Sequence, residues 1–485
     1  MKKSTLQHLL KLLAGPLIAL ILRVLNPFHL DELANNTISI SAWMIAWWIL
    51  ESIPMPAVAL MPLLLFPLLQ ISSIEKTAQA YSNPVIFLFM GGFMIGLAIE
   101  KWHLHKRIAL QIIRITGTSG KQIILGFILA CGFLSMWLSN TATTMMMFPI
   151  ALSVINVLKV HEAPGKNMEH FSLVLMLVIA YASNIGGMAT IIGTPPNVAF
   201  AAYIEKTYNY NIQFGDWMLL CTPLAIVLLI AIYWVLAFWL FPVKIRHSDD
   251  ASRFVQQELS ALGPMSTAEK RVMAIFCCTA LLWISKDLLN KILPLTIDDT
   301  QIALIGALAL FIFPSGDIYG KSERLLEWRD TSKMAWGILL LFGGGIALAA
   351  SLESAGIIQK IGRGLAGISG SNTFLLVLAI VTLSVFLSEL MSNVAQVIVF
   401  APVLGSLSDA LQINPLLLGI PMTLAASAAA MLPMGTPPNA IVFGSGHIPL
   451  KKMIKAGFAV NIICILLITL FCFYFLPLIM LSIKH

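Results

Sequence analysis

Read for hydrophobic and polar positions, the chain alternates long apolar runs with short polar connections from end to end. Runs such as 217–241 and 456–481 exceed the roughly 20 residues that a helix needs to cross a bilayer. The pattern predicts spans at 11–26, 40–51, 57–71, 84–100, 172–203, 217–241, 270–290, 299–314, 336–352, 415–444 and 453–481. Two further pairs of apolar limbs, 122–157 and 373–409, are expected to dip into the bilayer and leave by the face they entered. The run after Lys2 and Lys3 has no small-x-small cleavage site ahead of a soluble domain and is expected to be a retained first helix. Only His247–Lys270 forms a sizeable hydrophilic connection.

The two halves of this pattern repeat one another. The stretch from Asn83 to Glu100, with Gly91-Gly92 inside it, is echoed by the stretch from Trp336 to Glu353, with Gly343-Gly344-Gly345, at an offset of 253 residues (Glu100 to Glu353). At the same offset Ser139-Asn140 matches Ser392-Asn393 and Pro149 matches Pro402. Gly193-Thr194-Pro195-Pro196-Asn197 then recurs unchanged as Gly435-Thr436-Pro437-Pro438-Asn439. With each limb pair returning to its own face, each copy makes an odd number of crossings, so the second copy is expected upside down relative to the first. Inverted repeats of this kind belong to secondary transporters, whose binding site lies where the repeats meet.

Polar groups at membrane depth are costly unless satisfied, which makes their placement informative. One cluster runs Ser135, Ser139, Asn140, Thr141, Thr143, Thr144; its counterpart runs Ser388, Glu389, Met391, Ser392, Asn393, Val394, Gln396. Taken alone, such hydroxyls also serve interhelical hydrogen bonding. The paired prolines of each Gly-Thr-Pro-Pro-Asn segment remove backbone donors and break the helix. Irregular backbone at that depth is tolerated only inside protein or along a wet cavity. Val394 stands where the first copy has Thr141, so one edge of the expected pocket is less polar.

The segments 122–157, 183–203, 384–403 and 421–445 contain no Lys, Arg or His. An anion bound there must be met by helix N-termini, amides, hydroxyls and bound cations. Carbonyls freed at the breaks, with Ser and Asn oxygens, suit a hard monovalent cation; sodium is the expected one, with lithium and potassium open on the same oxygens. Glu389 is the only acidic residue in those segments, a thin basis for a proton relay.

Composition agrees: 58% of residues are hydrophobic and 11% charged, against about 25% charged in soluble domains. The net charge of +7 is concentrated in connections, with Lys101, Lys106, Arg107, Arg114 and Lys121 in one, Lys321, Arg324, Arg329 and Lys333 in another, and Lys451, Lys452 and Lys455 in a third. That is the positive-inside bias with a cytoplasmic N-terminus and a periplasmic C-terminus, and it explains the basic balance without nucleic acid. The six cysteines lie in apolar stretches and read as packing residues, as do Met145, Met146 and Met147. His103 and His105 read as a solvated surface pair, and Glu100 and Glu353 as interfacial residues at span ends. No nucleophile with a base, and no acidic metal motif, marks the intramembrane segments as an enzyme.

On these motifs the chain resembles the divalent anion:sodium symporter family over essentially its whole length. The resemblance implies an all-α polytopic fold of about eleven transmembrane helices plus two re-entrant hairpins. It also implies a homodimer and an elevator-type transport domain moving against a scaffold. The implied layout is an N-terminal helix and connection (1–39), a first repeat (40–243), a cytoplasmic connection (244–269) and a second repeat (270–485). Within the repeats lie hairpins 122–157 and 373–409 and broken helices 172–203 and 415–444. The implied first sodium site is Ser135, Ser139, Asn140 and the Gly193 carbonyl; the second is Ser388, the Met391 carbonyl, Asn393 and the Gly435 carbonyl. Substrate carboxylates would meet Ser139, Asn140 and Thr141 on one side and Ser392, Asn393 and Val394 on the other, with Thr194 and Thr436 nearby. The implied function is sodium-coupled symport of di- or tricarboxylates across a bacterial inner membrane, with no organic cofactor. Symport of sulfate or another oxyanion, and sodium-independent dicarboxylate exchange, remain open on the same fold.

Overall fold

The computed structural model describes residues 3–161, 165–245, 249–292, 296–316, 323–366 and 372–483; among them the regular structure is helical, with one isolated bridge between Pro314 and Arg324. His247 and Lys321 lie outside the described residues.

The first half begins with α1 (Lys3–Leu25) against α2 (Glu32–Leu50), then two short helices, α3 (Met55–Val58) and α4 (Met61–Leu68). The single span expected over 57–71 is therefore two pieces. Pro62 has no N–H to bond the Val58 carbonyl, and the backbone of Ala59 between them is where Gly344 packs, close enough that a Cβ there would lie 2.5 Å from the Ala59 carbonyl oxygen. There follow α5 (Ile74–Gln79), α6 (Pro84–Lys101), α7 (Leu104–Thr116), α8 (Gly120–Ser135), α9 (Asn140–His161), α10 (Lys166–Met188), α11 (Pro195–Tyr208) and α12 (Phe214–Trp234), the last continuing as a π turn to Leu240. The second half holds α13 (Asp249–Ala261), α14 (Thr267–Ile292), α15 (Asp299–Ile312), α16 (Trp336–Ser354), α17 (Ile357–Ala366), α18 (Thr373–Ser388), α19 (Asn393–Leu411), α20 (Pro415–Ala426), α21 (Pro437–Phe443) and α22 (Leu450–Ile483).

Among the described residues, eight helices are long and apolar enough to cross a membrane, and five shorter apolar helices lie among them. The chain is an integral membrane protein, and its outer surface fits that solvent. Leu219, Ile226, Ile230 and Trp234 on α12 share one exposed face, as do Phe458, Ile462, Leu466 and Leu470 on α22. At the other extreme the apolar stretch of α10 from Phe171 to Met188 is buried throughout, which places α10 at the centre. Cys131, Cys221, Cys464 and Cys472 are buried, but Cys277 and Cys278 are exposed on α14 and do not pack inside. Met147 is buried while Met145 is exposed.

The expected surface histidine pair is divided. His103 is exposed with left-handed backbone at φ 55°, whereas His105 is buried with Nδ1 3.2 Å from the Ile99 carbonyl. The α7 helix is amphipathic and turns His105 inward toward α6. Burial lowers the His105 pKa, with Ile99 opposing and His103 and Lys106 adding to the shift.

Helices of the two halves interleave. The α6 helix lies on α15, and α16 lies on α2, α3 and α4 and also on α11 and α19, with Phe89 and Phe342 edge to face at 5.4 Å. Further along, α8 packs on α10, α18 on α20 and α12 on α22. The second limb of each broken helix crosses to the opposite hairpin: α11 packs on α19, and α21 packs on α9.

Candidate functional site

Both hairpins are built to the same residue register. The limbs α8 and α18 start 253 residues apart (Gly120 to Thr373), as do α9 and α19 (Asn140 to Asn393), and four residues form each tip. Ser135 Oγ donates to Asn140 Oδ1 at 2.7 Å, and Ser388 Oγ donates to Asn393 Oδ1 at 2.7 Å. Ser388 Oγ also lies against the Ala426 carbonyl. Ser135 and Ser388 are buried, while Ser139, Asn140, Thr141, Met391, Ser392, Asn393 and Val394 are half-buried. The tips thus keep polar edges accessible at the inner ends of apolar limbs. Ser139 Oγ accepts from Ala142 N at 3.2 Å, capping the start of α9.

The breaks fall just before the prolines, not at them. Pro195-Pro196 and Pro437-Pro438 occupy the first turn of α11 and α21, where a missing N–H costs nothing. Thr194 and Thr436 are the N-caps, both buried with extended backbone. The non-helical stretches lie between Met188 and Pro195 and between Ala426 and Pro437. Asn197 Nδ2 donates to the Thr190 carbonyl at 2.8 Å and the Gly187 carbonyl at 3.2 Å. Asn439 Nδ2 donates to the Ala429 and Leu432 carbonyls, both at 3.2 Å. Loops that would otherwise leave buried acceptors orphaned are thereby held in one shape.

The first hairpin and first break converge on oxygen. A Cβ placed on Gly193 would lie 2.6 Å from the Gly187 carbonyl oxygen and 2.9 Å from that of Ser135; one on Gly187 would collide with Asn140 Oδ1 and lie 3.1 Å from the Gly193 carbonyl oxygen. Two glycines therefore let four neutral oxygens approach a common region, a donor set suited to a sodium ion as cargo. Thr190 Oγ1 donates to the Met136 carbonyl at 2.5 Å and accepts from Gly193 N at 2.9 Å, tying the hairpin tip to the break.

At the second break the corresponding tie is a carboxylate. Glu389 is buried, and its Oε1 accepts from Ala430 N, Met431 N and Asn461 Nδ2, each at 2.8 Å, while Oε2 accepts from Leu432 N at 2.9 Å. Tyr181 of α10 donates to the Ala430 carbonyl at 2.7 Å. The sequence marks Glu389 only as a lone acid; its partners lie 41 to 72 residues away along the chain.

Asn184 was not marked by the sequence motifs, yet it joins the halves. Its Oδ1 is 3.5 Å from Asn140 Nδ2, and its Nδ2 donates to Thr436 Oγ1 at 3.0 Å. A polar bridge thus runs from the tip of the first hairpin to the cap of the second break. The available signal was an amide inside the largely apolar stretch Phe171–Met188 of α10, which is buried throughout.

Comparison with known proteins agrees over nearly the full chain. A family model described as the sodium:sulfate symporter transmembrane region matches residues 3–481. The chain is 38% identical over 482 residues to the sodium-dependent dicarboxylate transporter SdcS of Staphylococcus saprophyticus, covering 98% of this chain and 93% of that protein. It is 38% identical over 481 residues to SdcS of Staphylococcus aureus strain USA300, covering 98% and 92%. Among solved structures it is similar in fold to the Alcanivorax borkumensis YdaH transporter, with a TM-score of 0.58, 14% identity, and coverage of 82% of this chain and 86% of that one. The Neisseria gonorrhoeae MtrF structure gives 0.52 at 13% identity, covering 83% of each.

Proposed function

Because this chain belongs to the sodium:sulfate symporter family, the divalent anion:sodium symporters, we propose that it is a secondary transporter carrying dicarboxylates together with sodium ions. It performs no enzymatic step and needs no organic cofactor. The observation that carries the reading is the pair of Ser–Asn hydrogen bonds, Ser135–Asn140 and Ser388–Asn393, repeated in register beside two helix breaks whose segments, 183–203 and 421–445, bear no Lys, Arg or His.

In this reading Ser135, Ser139, Asn140 and the Gly193 carbonyl take one sodium ion, and Ser388, the Met391 carbonyl, Asn393 and the Gly435 carbonyl take another. Carboxylates of the substrate dock on Ser139, Asn140 and Thr141 and on Ser392, Asn393 and Val394, with Thr194 and Thr436 beside them. Sodium supplies the positive charge that the pocket lacks, so substrate affinity depends on prior cation binding. The two halves, 40–243 and 270–485, act as inverted repeats joined by 244–269. The group around α8–α12 and α18–α22 moves as an elevator against α2–α6 and α14–α16 in a homodimer. The protein sits in a bacterial inner membrane with its N-terminus cytoplasmic and C-terminus periplasmic.

A thermal-shift panel on detergent-purified protein tests this. Succinate, malate or fumarate should raise the melting temperature in sodium and not in potassium. A shift with sulfate alone would give the site to an oxyanion, and dicarboxylate shifts of equal size in potassium would favour exchange without sodium.

A further inference from the structure

Glu389 presents a physical question that the transport reading leaves open. A buried carboxylate without a cationic partner is expensive, and among the described residues no Lys, Arg or His is ion-paired with it. Every partner it has is a donor: three consecutive backbone N–H groups of the second break and the Asn461 amide. That is the hydrogen-bonding demand of an anion.

The internal duplication supplies a control. Subtracting 253 from Glu389 gives Met136, and subtracting 242 (Gly435 to Gly193) from the segment 430–432 gives 188–190. The same joint between hairpin tip and break thus exists in the first half, and there it is neutral: Thr190 Oγ1 donates to the Met136 carbonyl. Trp217 Nε1 supports the Met188 carbonyl at 3.0 Å. Holding the loop therefore does not require a charge, and the second half carries one nonetheless. Its position is close to the expected cation ligands, since a Cβ on Gly435 would lie 2.9 Å from Glu389 Oε2.

We propose that Glu389 is a fixed negative charge beside the second cation site, not a ligand of it, which makes the two sodium sites unequal and gives the Ser388–Met391–Asn393–Gly435 site the tighter grip. The proposal rests on the sodium-coupled reading above. In a water-poor interior the attraction between unit charges a few ångströms apart is large enough to change affinity by at least tenfold. Sodium entering the second site offsets the buried charge, so this site fills first and the first site fills with the substrate. Glu389 is then a positioning and charge-setting residue that touches neither substrate nor ion.

The test is sodium activation of succinate uptake in proteoliposomes, together with the sodium dependence of the melting temperature. Glu389→Gln keeps size and one acceptor while removing the charge. The expected result is a half-maximal sodium concentration raised tenfold or more, with KM for succinate at saturating sodium changed less than threefold. Unchanged sodium activation in folded Glu389→Gln protein would overturn the proposal. Glu389→Asp keeps the charge but shortens its reach to the 430–432 amides; sodium activation within threefold of the unmodified protein supports a charge role, and a tenfold loss would show that shape alone matters. Should the unmodified protein take up succinate without sodium, the parent reading fails and this one with it.

Discussion

Asn197 and Asn439, 242 residues apart, make the same bonds to equivalent atoms. The amide of Asn197 reaches the carbonyls of Gly187 and Thr190, and the amide of Asn439 reaches those of Ala429 and Leu432, the same positions counted from each asparagine. Both asparagines are fully buried. The duplication has therefore preserved a loop-holding device as well as a motif, and the final Asn of each Gly-Thr-Pro-Pro-Asn word serves the loop that precedes it.

Asn197→Ala and Asn439→Ala should each lower stability by about 1–3 kcal/mol, the cost of leaving buried carbonyls unpaired. Transport should fall further than stability does, because the freed loop carries the Gly193 or Gly435 carbonyl. Thermal melting and uptake on the same preparations measure the two effects; loss of stability with unchanged uptake would separate the loop from the site.

Asn184 links Asn140 to Thr436 across the halves. Asn184→Ala should raise KM for dicarboxylate several-fold and weaken its dependence on sodium, since the side-chain bridge from the first tip to the second cap is cut. Initial-rate uptake over a grid of sodium and succinate concentrations measures this coupling. Parallel loss at every sodium concentration would give Asn184 a packing role alone.

Val394, half-buried in the first turn of α19, stands where the first half has Thr141. Val394→Thr restores a hydroxyl, and one hydrogen bond of about 1 kcal/mol corresponds to roughly a fivefold change in relative affinity among carboxylates. Competition of unlabelled succinate, malate and citrate against labelled succinate reads the shift; identical inhibition profiles would remove Val394 from the selectivity edge.

Lys286 and Asp299 form an ion pair at 3.0 Å, with side chains 7% and 6% exposed, and Asp299 Oδ2 also accepts from Phe214 N at 2.8 Å. Lys286→Met leaves a buried carboxylate unpaired and should cost about 3–5 kcal/mol. Lys286→Met/Asp299→Asn should recover most of that, because the neutral amide still accepts from Phe214. Chemical or thermal unfolding of the three proteins checks the order.

The hairpin tips, the broken helices and the all-helical membrane fold were legible because each leaves a local signature: apolar runs of fixed length, paired prolines, and Ser-Asn repeated at one spacing. The split of 57–71 into α3 and α4 was foreshadowed by Pro62, but an apolar run masks a break when no polar residue accompanies it. For three features the sequence carries no signature of the partners. His105 is buried because α7 turns it toward α6, Asn184 finds its partners 44 and 252 residues away, and Glu389 gathers amides from a loop and a helix far along the chain. Periodicity places a side chain on a face; it does not say which distant element meets that face.

The most direct measurement of the central claim is labelled succinate uptake into proteoliposomes under an imposed inward sodium gradient, with Asn140→Ala and Asn393→Ala measured alongside. Uptake driven by the gradient, absent with potassium on both sides and abolished in both folded variants, is the predicted result. Equal uptake without sodium, or near-normal uptake in either asparagine variant, would contradict it.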